Sequence, residues 1–144
     1  MSGSVLCAVD VSQPIDDTAV LRKGALLAAM EGATLDVITV IPDFGMSVVG
    51  AFFDKTHTDQ AIVEAKSALN KLCSEVLGDE MNANIRHIVA VGTAYEEILK
   101  TANAAGSELI VIGAHKPDFK DYLLGPNAAR VARHATVSVH IVRS

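Results

Sequence analysis

The chain has 144 residues, which suits one domain spanning 1–144 and leaves little room for a second. Half of its residues are apolar and one fifth are charged, a globular balance, and a formal charge of −5 argues against nonspecific DNA or RNA binding. No apolar run approaches the ~20 residues of a membrane-spanning helix, residues 1–6 carry no basic segment of a signal peptide, and Cys7 and Cys73 are too few for a disulfide framework, so the expected location is the cytoplasm.

With no Trp and few other aromatics, Ala, Val, Leu and Ile must build the core. Val5 to Val9 is a short apolar run before Asp10 and reads as a strand buried on both faces. A helix follows from about Asp16 to Glu31, its stripe marked by Val20, Leu21, Gly24, Leu27 and Ala28, with Gly32 as a stop. Thr34 to Ile41 is a second β-branched run, and Pro42 limits it. Residues 42–56 lack periodicity and read as a long loop with room for a short helical piece. His57 to Leu77 carries a helical stripe through Ala61, Ala65, Leu69, Leu72 and Val76, ended by Gly78. Ile85 to Val91 is the third strand. Thr93 and Glu96 form a T-x-x-E capping box for a helix running to Gly106. Glu108 to Ile112 is the fourth strand, 113–124 a loop, Gly125 and Pro126 the opening of a short helix through His134, and Val137 to Val142 the last strand.

Apolar strands alternating with amphipathic helices predict an α/β fold: a single, doubly wound, five-stranded parallel sheet with helices on both faces. Such sheets bind ligands beyond the carboxyl ends of their strands, where strand order reverses. The candidates are therefore Asp10, Val40, Ile41, Ile112, Gly113 and the loop up to Gly125, which includes His115. The start of the last helix suits an anion, and Gly125 allows close backbone approach. Neither G-x-G-x-x-G nor G-x-x-x-x-G-K-[ST] is present. By the residues alone, a nucleotide loop and a plain structural loop both stay open, and Asp10 can serve a ligand or cap its own turn.

Several segments carry a resemblance. Residues 5–12 (VLCAVDVS), Gly92-x4-Glu97 with Ile98 and Leu99, residues 108–117 (ELIVIGAHKP), 123–128 (LLGPNA) and 131–143 resemble, in this order, the segments of universal stress proteins. The resemblance covers the whole chain. It implies a five-stranded parallel sheet of the adenine nucleotide alpha hydrolase-like kind and a role in stress response. It also implies ATP or AMP as ligand, with Mg²⁺ as an accompanying ion for which Asp10 is the candidate, and no tightly bound metal. In the family pattern G-x2-G-x9-G-[S/T], Gly113 takes the first glycine and Gly125 the last, with Lys116 in the middle position and a spacing one residue shorter, as in a branch with a shortened loop. Asp10 and Val40 match the positions that meet adenine, and Ile112, His115, Lys116, Pro126 and Asn127 complete the expected nucleotide site.

Pro126 stands where the family has Ser or Thr and offers neither hydroxyl nor N–H. A hydrogen bond to a charged group is worth roughly 1.5–3 kcal/mol, so phosphate binding is expected to weaken and AMP to gain over ATP, with Asn127, Arg130, Lys116 or His115 offsetting part of the loss. Family members commonly dimerise through the last strand, which implies a homodimer here through Val137, Val139 and Ile141. The protein partner of such a regulator stays open. The alternatives are a nucleotide-independent dimeric adaptor and a slow ATPase or self-phosphorylating protein, for which no catalytic residue stands out. None of the five histidines has zinc-site spacing.

Overall fold

The computed structural model describes residues 3–12, 14–42, 54–114 and 126–143. In chain order the elements are β1 (Ser4–Ala8), α1 (Pro14–Glu31), β2 (Thr34–Ile41), α2 (Asp54–Leu77), α3 (Asp79–Asn82), β3 (Arg86–Val91), α4 (Ala94–Ala105), β4 (Ser107–Gly113), α5 (Pro126–His134) and β5 (Ser138–Val142). The five strands form one sheet in the order β3-β2-β1-β4-β5, and every pairing is parallel. From β1 the chain builds outward to β2 and β3. It then returns through α4 to the other side of β1 and lays down β4 and β5, so strand order reverses between β1 and β4.

Every residue of β1 is buried, and its side chains alternate between two cores. Val5, Cys7 and Val9 pack with Val20, Leu21 and Ala28 of α1 and with Leu69, Leu72 and Cys73 of α2. Leu6 and Ala8 pack on the other face with Ile98 and Ala102 of α4 and with Ala128 and Val131 of α5. Helices thus cover both faces, as the alternation of strands and helices predicts. On the first face a Cβ at Gly24 would lie 1.9 Å from the Cys7 sulfur, so glycine is what lets α1 lie this close to β1. Cys7 and Cys73 are buried and unbridged. Burial drives the Cys7 thiol far above its usual range and raises that of Cys73 to about 11, so both behave as small hydrophobes.

The ends of α1 and of several strands shift by one or two residues from the sequence expectation, and three further differences concern the helices. Helix α2 begins at Asp54 rather than His57, because its first turn is polar and shows no apolar period; the remainder of the expected loop, residues 43–53, lies outside the described residues. Gly78 ends α2 but is followed at once by the single turn α3, too short for periodicity to mark. Thr93 precedes α4 with no side-chain cap bond, so the T-x-x-E box is not formed. The Thr93 carbonyl accepts the Glu97 N–H at 3.0 Å, the ordinary first bond of the helix, and Glu96 accepts the Tyr95 hydroxyl at 3.2 Å.

Strand β5 is one edge of the sheet. Val139 and Ile141, with Val137 just before the strand, are half-buried and pack against the α4–α5 core. Among the described residues no helix is long and apolar enough to cross a membrane.

Candidate functional site

The ladder between β1 and β2 ends at the pair Ala8 and Ile38, after which the Val9 N–H donates to the Ile38 carbonyl at 2.9 Å. Backbone groups two residues apart on a strand point the same way. The Val40 carbonyl, two beyond Ile38, therefore faces the side where β1 has already ended. β1 turns away here because two carboxylates hold the bend. The buried Asp17 accepts the Asp10 N–H through Oδ2. Asp10 Oδ1 in turn accepts the Ser12 N–H at 2.9 Å and the Ser12 hydroxyl at 2.6 Å, an Asx turn. Asp10 therefore caps its own turn and also borders the opening beyond it; the two readings of this residue coexist.

That opening is an apolar slot of about 120 Å³ lined by Ala8, Val9 and Asp10 of the β1 end, Ile38 and Val40 of β2, Ile112 of β4, Ala94 and Ile98 of α4, and Asn127 of α5. It sits at the reversal of strand order, where open parallel sheets bind ligands. The slot shares Val40, Ala94 and Asn127 with a wider vestibule of about 590 Å³ whose other walls are Pro42, Val91, Gly92, Thr93, Glu96 and Glu97. Gly92 has a φ of +151°, and a Cβ there would meet Glu97 Oε2 at 2.9 Å. The Gly92-x4-Glu97 spacing thus has a local cause: a residue without a side chain gives the Glu97 carboxylate room to fold back over the strand end. One wall of the vestibule is consequently acidic.

At the opposite rim, α5 presents Asn127, Arg130 and His134 on one flank while Ala128 and Val131 are buried behind them. The Arg130 guanidinium carbon lies 5.2 Å from the Tyr95 ring centroid, and the His134 ring stacks on the same tyrosine with centroids 6.3 Å apart. Pro126 opens α5 and is exposed. With no N–H it suits the first turn, as expected, and it offers a ligand no donor.

Of the residues expected at a nucleotide site, the structure brings Asp10, Val40, Ile112 and Asn127 to one slot. Pro126 adjoins Asn127, and Gly113 ends β4 buried beside Ile112. His115, Lys116 and Gly125 lie outside the described residues. Not expected from the sequence are Ala94 and Ile98, which form the slot's third wall, and Asp17, whose carboxylate holds the Asp10 bend. The four-residue spacing of Ile98 and Ala102 marks one apolar helix face and could have marked the wall; nothing local marks Asp17 as buried. Among the described residues no three His, Cys, Asp or Glu side chains are grouped to hold a metal ion.

The profile of the universal stress protein family matches residues 1–143. Universal stress protein A homolog 1 of Coxiella burnetii is 30% identical over 138 residues, covering 94% of this chain and 92% of its own. Among solved structures, a universal stress protein from Archaeoglobus fulgidus in complex with dAMP superposes with a TM-score of 0.67 at 22% identity, covering 98% of this chain and 97% of its own. A universal stress protein in complex with cAMP superposes with a TM-score of 0.68 at 23% identity, covering 99% and 97%. These two structures share the fold.

Proposed function

The chain belongs to the universal stress protein family, and from that premise we propose that it is a dimeric regulatory protein that binds an adenine nucleotide in the cleft beyond β1, β2 and β4. The observation that carries the reading is the apolar slot at the reversal of strand order, bordered by one backbone carbonyl and one carboxylate. An adenine ring is flat and apolar on its faces and carries donors on its edge. Ile38, Ile98 and Ile112 suit the faces; the Val40 carbonyl and Asp10 suit the exocyclic amine. Relatives of this fold bind dAMP and cAMP, which supports an adenosine monophosphate as the ligand class.

The phosphate end departs from the usual pattern. Pro126 withholds two donors, and Glu96 and Glu97 add negative charge to the vestibule. Charge repulsion grows with each added phosphate, so AMP is preferred over ATP. Gly113, with His115, Lys116 and Gly125 from the neighbouring segment, completes the proposed phosphate side. Edge strand β5, through Val137, Val139 and Ile141, pairs antiparallel with its mate in the proposed homodimer. The protein's proposed location is the cytoplasm.

Pro126 and the acidic wall also favour a second reading, a dimeric adaptor that works without nucleotide. Denaturing the purified protein and assaying the released small molecules separates the two. An adenine nucleotide approaching one per chain supports the first. Absence of released nucleotide, together with no calorimetric binding of adenosine or AMP at millimolar concentration, supports the second.

A further inference from the structure

We infer that Arg130, laid against the ring of Tyr95, is the residue that reads the ligand's phosphate at the rim of the cleft. The inference rests on the cleft being the nucleotide site and names a specificity-determining group that the proline at 126 makes necessary.

Residues three apart on a helix share a face. Asn127 lines both the slot and the vestibule, and Arg130 stands one turn along α5 on the same flank. Long side chains on a helix lean toward its N-terminus, which carries the guanidinium back toward the Asn127 turn and the cleft mouth. Across the gap, Tyr95 follows directly on Ala94, which also lines both cavities. The guanidinium thus lies against the ring that follows Ala94, one turn along α5 from Asn127.

The arrangement restrains the group without neutralising it. A guanidinium 5.2 Å from a ring centroid is attracted by the ring face. A guanidinium seated on a ring keeps its N–H edges for carboxylate or phosphate, which it can bind in forked fashion. Tyr95 is itself fixed, with His134 stacked on its ring and its hydroxyl donating to Glu96. The ion pairs among the described residues are Lys71–Glu75 and Arg86–Asp36, so no described carboxylate pairs with Arg130.

The charge map then selects the ligand. Arg130 is a cation laid on the ring of Tyr95, and two carboxylates, Glu96 and Glu97, line the neighbouring vestibule. A single phosphate at Arg130 presents less negative charge to those carboxylates than a triphosphate extended into the vestibule.

The test is calorimetric titration of adenosine and of AMP into the wild-type protein and into Arg130→Gln, Arg130→Lys, Tyr95→Phe and Tyr95→Leu, each checked by thermal melting. Arg130→Gln is expected to lose about ten- to a hundredfold in AMP affinity, the range for a charge-assisted hydrogen bond, and nothing in adenosine affinity. Arg130→Lys, with charge but no fork, falls between. Tyr95→Phe keeps the ring and stays close to wild type, whereas Tyr95→Leu loses roughly two- to fivefold for AMP only. Unchanged AMP affinity in Arg130→Gln overturns the inference and leaves the cleft reading standing. Equal loss of adenosine and AMP in that variant marks a structural role and overturns it too. A wild-type protein that binds neither ligand overturns the cleft reading and this inference with it.

Discussion

The two ends of the cleft are built by different means. The inner slot is made where a parallel ladder stops: Ala8, Ile38 and Ile112 belong to paired strands, and the Val40 carbonyl is aimed by strand register alone. The outer rim is made of side chains on two helices, α4 and α5, with Arg130, Tyr95, His134 and Glu96 leaning on one another. A strand-built end tolerates surface change and fails only when its space or its strands are disturbed. A side-chain-built end can be altered residue by residue without touching the fold, which is where a family can vary its ligand.

The largest expected effect comes from filling the inner end. Ala94→Leu adds bulk at the mouth shared by slot and vestibule; overpacking of about 1–3 kcal/mol corresponds to a loss of affinity of roughly five- to a hundred-and-fiftyfold. Calorimetry should show the loss for adenosine and AMP alike. Retention of AMP binding would mean that the rim, not the slot, dominates.

Next comes the support beneath the slot. Gly24→Ala places a methyl 1.9 Å from the Cys7 sulfur, and strain of this kind costs about 1–3 kcal/mol of stability. Chemical denaturation should show that loss, and Cys7→Ala in the same chain should recover much of it. If the strain displaces β1, which ends in Ala8 at the slot, adenosine and AMP affinities fall together.

A smaller effect separates stability from the cleft. His87 contacts the Asn82 side chain at 2.6 Å, away from the cleft, and burial together with the charge of Lys66 holds its pKa below the ordinary 6.5. The unfolded chain therefore takes up this proton first. The stability linked to neutral His87 is complete above about pH 6.5 and is lost as pH falls toward the lower folded value. Melting curves across that range should show the decline, flattened in His87→Gln, while adenosine affinity is unchanged. A parallel fall in adenosine affinity would tie this end of the sheet to the site.

The contrast also explains what the sequence made legible. Short apolar runs ending at Val9, Ile41 and Ile112 locate the strand ends, and strand ends locate the slot. Gly92 and Glu97 were readable as a spacing, and only the structure shows why: a missing Cβ beneath a carboxylate. At the rim Arg130 was readable as a phosphate candidate, but its contact with Tyr95 was not, because the two meet only through the packing of α4 on α5. Thr93 and Glu96 satisfied a local capping rule, yet the Thr93 side chain makes no cap bond and the Glu96 carboxylate accepts the Tyr95 hydroxyl. Asp17 reads as a first-turn acid by position, whereas its carboxylate holds the Asp10 bend. The start of α2 was missed because polar first turns carry no period.

The most direct test of the account is the affinity of the wild-type protein for adenosine, AMP and ATP measured in one calorimetric series. The account predicts that adenosine binds, that AMP binds about tenfold or more tightly than adenosine through one charge-assisted contact, and that ATP binds no more tightly than AMP. Absence of adenosine binding, or ATP affinity rising steeply with the γ-phosphate, would contradict it.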